Sequence, residues 1–380
     1  MKYLKQNKNI FLKSCFAIIS LSLFAFNLQS CTEPEHLNDT NHEEEIYTLE
    51  IEFMDVPSDG TTAAFQMAST EISYEQYVQF LNDAYTDGFI TYSAADEGVY
   101  DQNGNLMTSL NGSRVVKDHN KNGVYELEDM ENPLNINFIT FNETNKIFEI
   151  EDPSQVDWDK YFDPQLYPNV VDSKEDWFEV GNNSEGFYDN KWDSDGQMPT
   201  LEEIKTWPAN FIRYFGAHAF AEFYGYDLPT KDQWYLAAKG GQDFAYATYN
   251  GEGSTEVAVI GSIMPGWPPH KGHVQPVKSL QPNPFGIYNL GGNVWEWCKD
   301  WYDGPNPLGS MNRPADEDYF IDDELELAEG YNNGYFKALI GGSFNYFVAT
   351  MENEWNHAAY LHAGNDHFGF RVVKNETSNN

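Results

Sequence analysis

Gly291 to Asp303 reads Gly-Gly-Asn-Val-Trp-Glu-Trp-Cys-Lys-Asp-Trp-Tyr-Asp, and no other stretch constrains the chain as strongly. Trp295, Trp297 and Trp301 are large aromatic side chains, and such residues when buried usually belong to a core. Trp295 and Trp297 alternate with other residues, so a strand here puts both rings on one face. The glycine pair in front lets backbone come close where a Cβ would block it. Asn293 and Glu296 place side-chain oxygens beside that bare backbone, the donor chemistry of a hard cation such as calcium. The same residues also suit a tryptophan-rich core strand whose Asn and Glu fasten a neighbouring turn.

The first thirty residues read as a targeting segment and take no part in the fold. Lys2, Lys5, Lys8 and Lys13 precede an apolar run from Cys15 to Phe26 that is too short to span a bilayer. Leu28-Gln29-Ser30-Cys31 resembles the lipobox of bacterial lipoproteins. Cys31 then becomes the acylated N-terminus, and lipid chains hold the protein at a membrane. Residues 31–45 form a polar, acidic tether. The expected location is the bacterial cell envelope, lipid-anchored, at the outer membrane.

Charge narrows the partners. The chain carries 22 Lys and Arg against 60 Asp and Glu, a formal charge of −38, and loss of the basic segment deepens it. So acidic a surface opposes nucleic acid and anionic headgroups, which leaves the lipid anchor as the only expected membrane contact. The three cysteines are Cys15, Cys31 and Cys298. With the first removed and the second acylated, Cys298 is the only thiol left, so no internal disulfide and no CxxC site can form.

Ile46–Phe53 and Phe65–Ile72 predict the first two strands. Ser73 with Gln76 makes a capping box for a helix whose inner face is Tyr77, Phe80, Leu81 and Ala84. Residues 92–200 read as an insertion. Within it Asp118, Asn120, Asn122, the Val124 carbonyl and Asp129, with Gly123 at the turn, match a calcium-loop pattern without flanking helices; an Asn-Gly hairpin is the alternative. Trp207–Tyr224 predicts a helix, with His218 beside its apolar stripe. Thr230 and Gln233 cap the next, and Gly240-Gly241 ends it. Phe336–Phe344 reads as strand, Gly-Gly, strand, and His367–Val373 as the closing strand.

Several segments together resemble the formylglycine-generating enzyme, or sulfatase-modifying factor, family. They are Glu71–Tyr77 with Phe80-Leu81-Asn82; Leu228–Trp234 with Ala237–Gly241; Pro282–Tyr288; Gly292–Trp297; Gly341–Phe344; and Phe368–Val373. The resemblance covers residues 46–374, interrupted by 92–200. It implies an α+β fold related to C-type lectins, with much irregular structure and bound calcium. By analogy Asn293 and Glu296 supply calcium's side-chain ligands, with backbone help from Gly291 and Val294. The family's enzymes oxidise a sulfatase cysteine to formylglycine with copper held by two cysteines, and Ser343 matches a serine of that site. Tyr346 and Met351 stand where those cysteines are expected, so copper is not expected here: a phenol and a thioether do not replace a dithiolate.

The resemblance therefore implies a fold without the family's known reaction, and function must be argued from the site. The reading this favours is a non-catalytic binding or scaffolding lipoprotein with a protein or carbohydrate partner, to which Trp207, Tyr346, Trp355 and Tyr360, if exposed, would offer an aromatic surface. The alternative is an enzyme, either maturing sulfatases or running other chemistry at Ser343 with His357, His362, His367, Glu354 and Asp366 nearby.

Overall fold

The computed structural model describes residues 47–113, 136–161, 199–261, 274–302 and 336–375. The leader with Cys31, the tether and the loop carrying Asp118, Asn120, Asn122, Val124 and Asp129 lie outside these residues. Residues 48 onward form one compact unit.

Helices begin where side chains supply caps. For α1 (Tyr74–Thr86), Ser73 Oγ accepts from the Gln76 amide while the Gln76 side chain accepts from the Ser73 amide. Thr200 and Glu203 make the same box for α2 (Leu201–Thr206). The third helix, α3 (Tyr214–Tyr224), starts at Arg213 without a side-chain cap. Thr230 and Gln233 cap α4 (Lys231–Lys239), which stops at the left-handed Gly240. Each box satisfies two orphan donors at a helix start.

The helix expected from Trp207 begins seven residues late, at Tyr214. Residues 207–213 spend their backbone elsewhere. Trp207 and Ala209 bond Tyr74 and Ile72, Phe211 bonds Asn365, and Arg213 bonds Met107. Pro208 and a left-handed Phe211 break any helical run. Tertiary partners have overridden the local pattern.

The strands form small sheets. β1 (Phe53–Val56) pairs with β2 (Phe65–Ala68), and β2 also pairs with β12 (Val373–Asn375), all antiparallel. The first strand is therefore displaced from the expected 46–53 to the chain's next segment. A second sheet runs β10 (His357–Tyr360), β9 (Phe336–Ile340), β8 (Trp295–Trp301), β11 (Phe368–Gly369), with β11 parallel to β8 and the rest antiparallel. The closing segment thus serves both sheets: β11 lies on β8, the chain bends, and β12 lies on β2. After β9 the chain turns at Gly341-Gly342, both left-handed, and the strand expected directly after them does not form; the chain pairs back on β9 only at β10.

The described parts of the 92–200 insertion pack into the domain. β4 (Gly98–Tyr100), between β3 (Thr91–Ser93) and β5 (Leu106–Ser109), and the hairpin β6 (Ile139–Asn142)–β7 (Ile147–Ile150) send Val99, Met107, Phe138 and Phe148 into the main core beside Tyr77, Phe220 and Trp297. Both faces of β8 are buried. Trp295 and Trp297 join that core, while Cys298 faces a second cluster with Trp234, Ala338 and Ile340.

Candidate functional site

The Gly-Gly-Asn turn ahead of β8 is set by backbone approach. Gly292 has φ +86°, and a Cβ there would lie 2.3 Å from the Val259 carbonyl oxygen. Asn293 is also left-handed; its amide donates to Val259 O, and its carbonyl accepts from Phe344 N. This geometry fixes where the Asn293 and Glu296 side chains go.

Neither side chain is open to a cation. Asn293 Oδ1 accepts from the Gln275 amide at 2.8 Å, and Nδ2 donates to Glu71 Oε1 at 2.9 Å and Gln275 O at 3.1 Å. Glu296 accepts from Arg371 Nε at 2.7 Å, Arg371 Nη2 at 2.7 Å and Trp234 Nε1 at 2.8 Å. The partners are an amide proton, a guanidinium and an indole, all donors, which is what a carboxylate and an amide oxygen need when no metal serves them. The expected calcium set of Asn293 and Glu296 with the Gly291 and Val294 backbone does not fit this arrangement. Gly291 instead packs against Ala247, where a Cβ would come within 2.7 Å of the carbonyl oxygen. Val294 is fully buried, its side chain against Gly369.

Two buried oxygens near the turn do lack partners, and sequence reasoning missed both. Glu71 Oε2 has no hydrogen-bond partner. Burial pushes the Glu71 carboxyl up to about 8, against the pull of Arg371 and with the push of Glu296. Asn289 Oδ1 is likewise unpartnered, on a left-handed residue lining a cavity of about 10 Å³ with Asn283, Thr248 and Gly291. That volume holds one water or one small ion. The signal for Asn289 was its residue type two positions before a glycine pair, since Asn tolerates φ > 0 better than most side chains.

The second candidate region gathers Ser343, Asn345, Tyr346, Trp355, His357, Asp366 and His367. Ser343 Oγ donates to Asn345 Oδ1 at 2.8 Å, the Asn345 amide lies 3.3 Å from His367 Nδ1, and that nitrogen lies 2.5 Å from Asp366 Oδ1. Asp366 is held in turn, because its carbonyl accepts from Asn210 Nδ2. The short contact puts the Nδ1 proton toward Asp366. Ser343 reaches the imidazole only through Asn345, on this occupied edge. A serine nucleophile needs its Oγ on the nitrogen opposite the carboxylate, so Ser343 is not arranged as one.

Tyr346 is half-buried and surrounded by rings: Trp295 at 5.2 Å, His367 at 5.5 Å and His357 at 6.0 Å between centroids. Met351 is buried with Ala258, Ile260 and Val348 beneath Gly291, and Tyr346 packs against that cluster. The remaining thiol, Cys298, is buried and pushed well above its ordinary range by that burial, with Asp300 and Glu296 adding to the effect.

The three expected histidines separate. His357 stacks on Trp295 and Trp355, His362 packs on Phe215, and His367 pairs with Asp366. Glu354 points to Lys239. Among the described residues no three His, Cys, Asp or Glu side chains gather as a metal site. Trp207 is core and not surface, Trp355 is half-buried, and the side chain of Tyr360 lies outside the described ones.

Comparison with known proteins settles the family. Residues 38–376 match the model of the sulfatase-modifying factor enzyme 1-like domain. The chain belongs to the sulfatase-modifying factor family. Two relatives show how far this carries. A formylglycine-generating enzyme of Thermomonospora curvata is 33% identical over 115 residues, 28% of this chain and 38% of that protein. The serine/threonine-protein kinase pkn1 of Chlamydia pneumoniae is 30% identical over 168 residues, 44% of this chain and 24% of that one. The chain thus spans less than half the length of these curated relatives. Among solved structures, CarF covers 86% of this chain and 99% of its own at 15% identity, with a TM-score of 0.42. The fold of this sulfatase-modifying factor member is α+β, with short helices and small sheets, as expected from its motifs.

Proposed function

We propose that this chain is a binding member of the sulfatase-modifying factor family, anchored in the bacterial envelope through Cys31, and not a cysteine oxidase. The observation that carries the reading is the fate of the two thiol positions. Tyr346 fills one with a ring packed on Trp295, His357 and His367, and the other holds the buried thioether of Met351, in a cluster against which Tyr346 also packs; neither supplies a thiolate. A copper dithiolate needs two thiolates at one metal, and the family's chemistry passes through them. Cys298 is enclosed on the other face of β8 and does not replace them.

What the site retains is an aromatic surface with polar side chains on its rim, the composition of a recognition patch. Its partner is a protein or a carbohydrate of the cell envelope. Calcium is not built into this reading, because the Asn293 and Glu296 side chains are occupied by protein donors.

Two measurements test it. The purified chain, loaded with copper, is offered a peptide bearing a sulfatase-type cysteine. No aldehyde is expected by mass spectrometry, and turnover would overturn the binding reading. Capture from native membranes should recover a partner other than a sulfatase, and metabolic labelling with an alkynyl fatty acid should mark the wild type but not Cys31→Ser.

A further inference from the structure

Trp355 lies two residues ahead of His357, the first residue of β10, and the ring of each stacks on the other. Their ring planes lie within 9° of parallel with centroids 6.2 Å apart, and both rings are half-buried. Each leans on Trp295, at 5.5 and 5.3 Å and at 29° in both cases. Trp295 is fully buried, so the two outer rings rest on a base that cannot move aside. Tyr346 stands edge-on to Trp295, at 84°, and forms a wall beside His357. Beyond Tyr346, His367 holds the Asp366 carboxylate, which remains 26% exposed.

Resting on the binding reading above, we infer that this patch is a stacking site for a neutral glycan. Two nearly parallel, half-open rings offer π faces to C–H groups that carry slight positive charge. A pyranose has such a face, with hydroxyls around its rim. The Asp366 carboxylate, held by His367 on the far side of Tyr346, is an acceptor for hydroxyls of a saccharide long enough to pass the Tyr346 wall, and gives it an orientation. Charge selects among glycans. A chain of formal charge −38, with the half-buried Asp366 carboxylate beyond Tyr346, repels uronate and sulfate esters, so the ligand is an uncharged saccharide. The rigid base matters to affinity, since side chains already held in place lose little entropy on binding.

The test is calorimetric titration of the full chain with uncharged oligosaccharides of glucose and N-acetylglucosamine, with alginate and heparin as charged controls, followed in parallel by tryptophan fluorescence. Binding of at least one neutral series is expected, with no binding of the charged ones. Trp355→Ala should weaken it about tenfold or more, the loss of one stacked ring. Asp366→Asn, which leaves every ring in place, should weaken it less and change which sugar is preferred, and it serves if the tryptophan variant fails to fold. Absence of neutral-glycan binding at millimolar ligand, preference for the anionic polymers, or affinity untouched by both variants would overturn the inference. If glycans fail while membrane capture still yields a protein partner, only the glycan assignment falls; oxidation of the cysteine peptide is what removes the binding reading itself.

Discussion

Arg371 grips Glu296 with two nitrogens, Nε on Oε2 and Nη2 on Oε1, each at 2.7 Å, and neither side chain is exposed. The guanidinium also donates to the carbonyls of Ala68 and Tyr288, so it ties β2, the approach to the Gly-Gly-Asn turn and β8 to one residue. Removing one member strands the other charge. Glu296→Gln is expected to cost about 3–5 kcal/mol, read as a lower denaturant midpoint at unchanged slope. Chelator added to the wild type should leave the midpoint where it was; an equal drop would return Glu296 to a cation.

Glu71 gives the fold a pH dependence of definite sign. Its folded carboxyl titrates at about 8 against an ordinary 4.5, so the native state holds a proton that the unfolded chain releases. That contribution is complete below about 4.5 and is lost as pH rises through 8. Thermal melts from pH 5 to 9 should show wild type weakening with pH more steeply than Glu71→Gln, and the variant should match or exceed wild type above pH 8.

Two glycines of similar φ separate strain from crowding. Gly60, at +94°, has open space around it, and Gly292, at +86°, faces the Val259 carbonyl. Gly60→Ala should cost about 1–2 kcal/mol for the left-handed backbone alone. Gly292→Ala adds a clash with backbone that cannot yield, and more than about 4 kcal/mol or outright failure to fold is expected. Paired urea titrations compare them.

Cys298 should be silent toward thiol reagents in the native protein. Burial raises its pKa and removes access, and the thiolate is the reactive form. Reaction with an aromatic disulfide should follow the unfolding curve in denaturant. Rapid labelling of the native state would mean that β8 opens locally.

Capping chemistry and motif order were legible in the residues. The boxes at Ser73 and Thr230 appear where the sequence placed them, because such caps are decided within four residues. The helix expected at Trp207 was not legible, since Phe211 and Arg213 take partners from Asn365 and Met107, far along the chain. The same limit applies to the site. Asn293 and Glu296 were read as calcium ligands, and nothing local says that Gln275 and Arg371 would claim their oxygens. The pairing of Trp355 with His357 was not legible either, since their base, Trp295, lies sixty residues upstream.

Arg371 reaches Ala68 across 303 residues of sequence, and β12 lies on β2 at the same place. The first sheet therefore cannot be completed until the last strand exists. A chain still being made holds β2 and β8 with open edges, which is the state most prone to wrong pairing. Loss of the final dozen residues of the domain should accordingly leave an aggregating chain, and not merely a less stable one, so that the far C-terminus acts as the quality check on everything made before it.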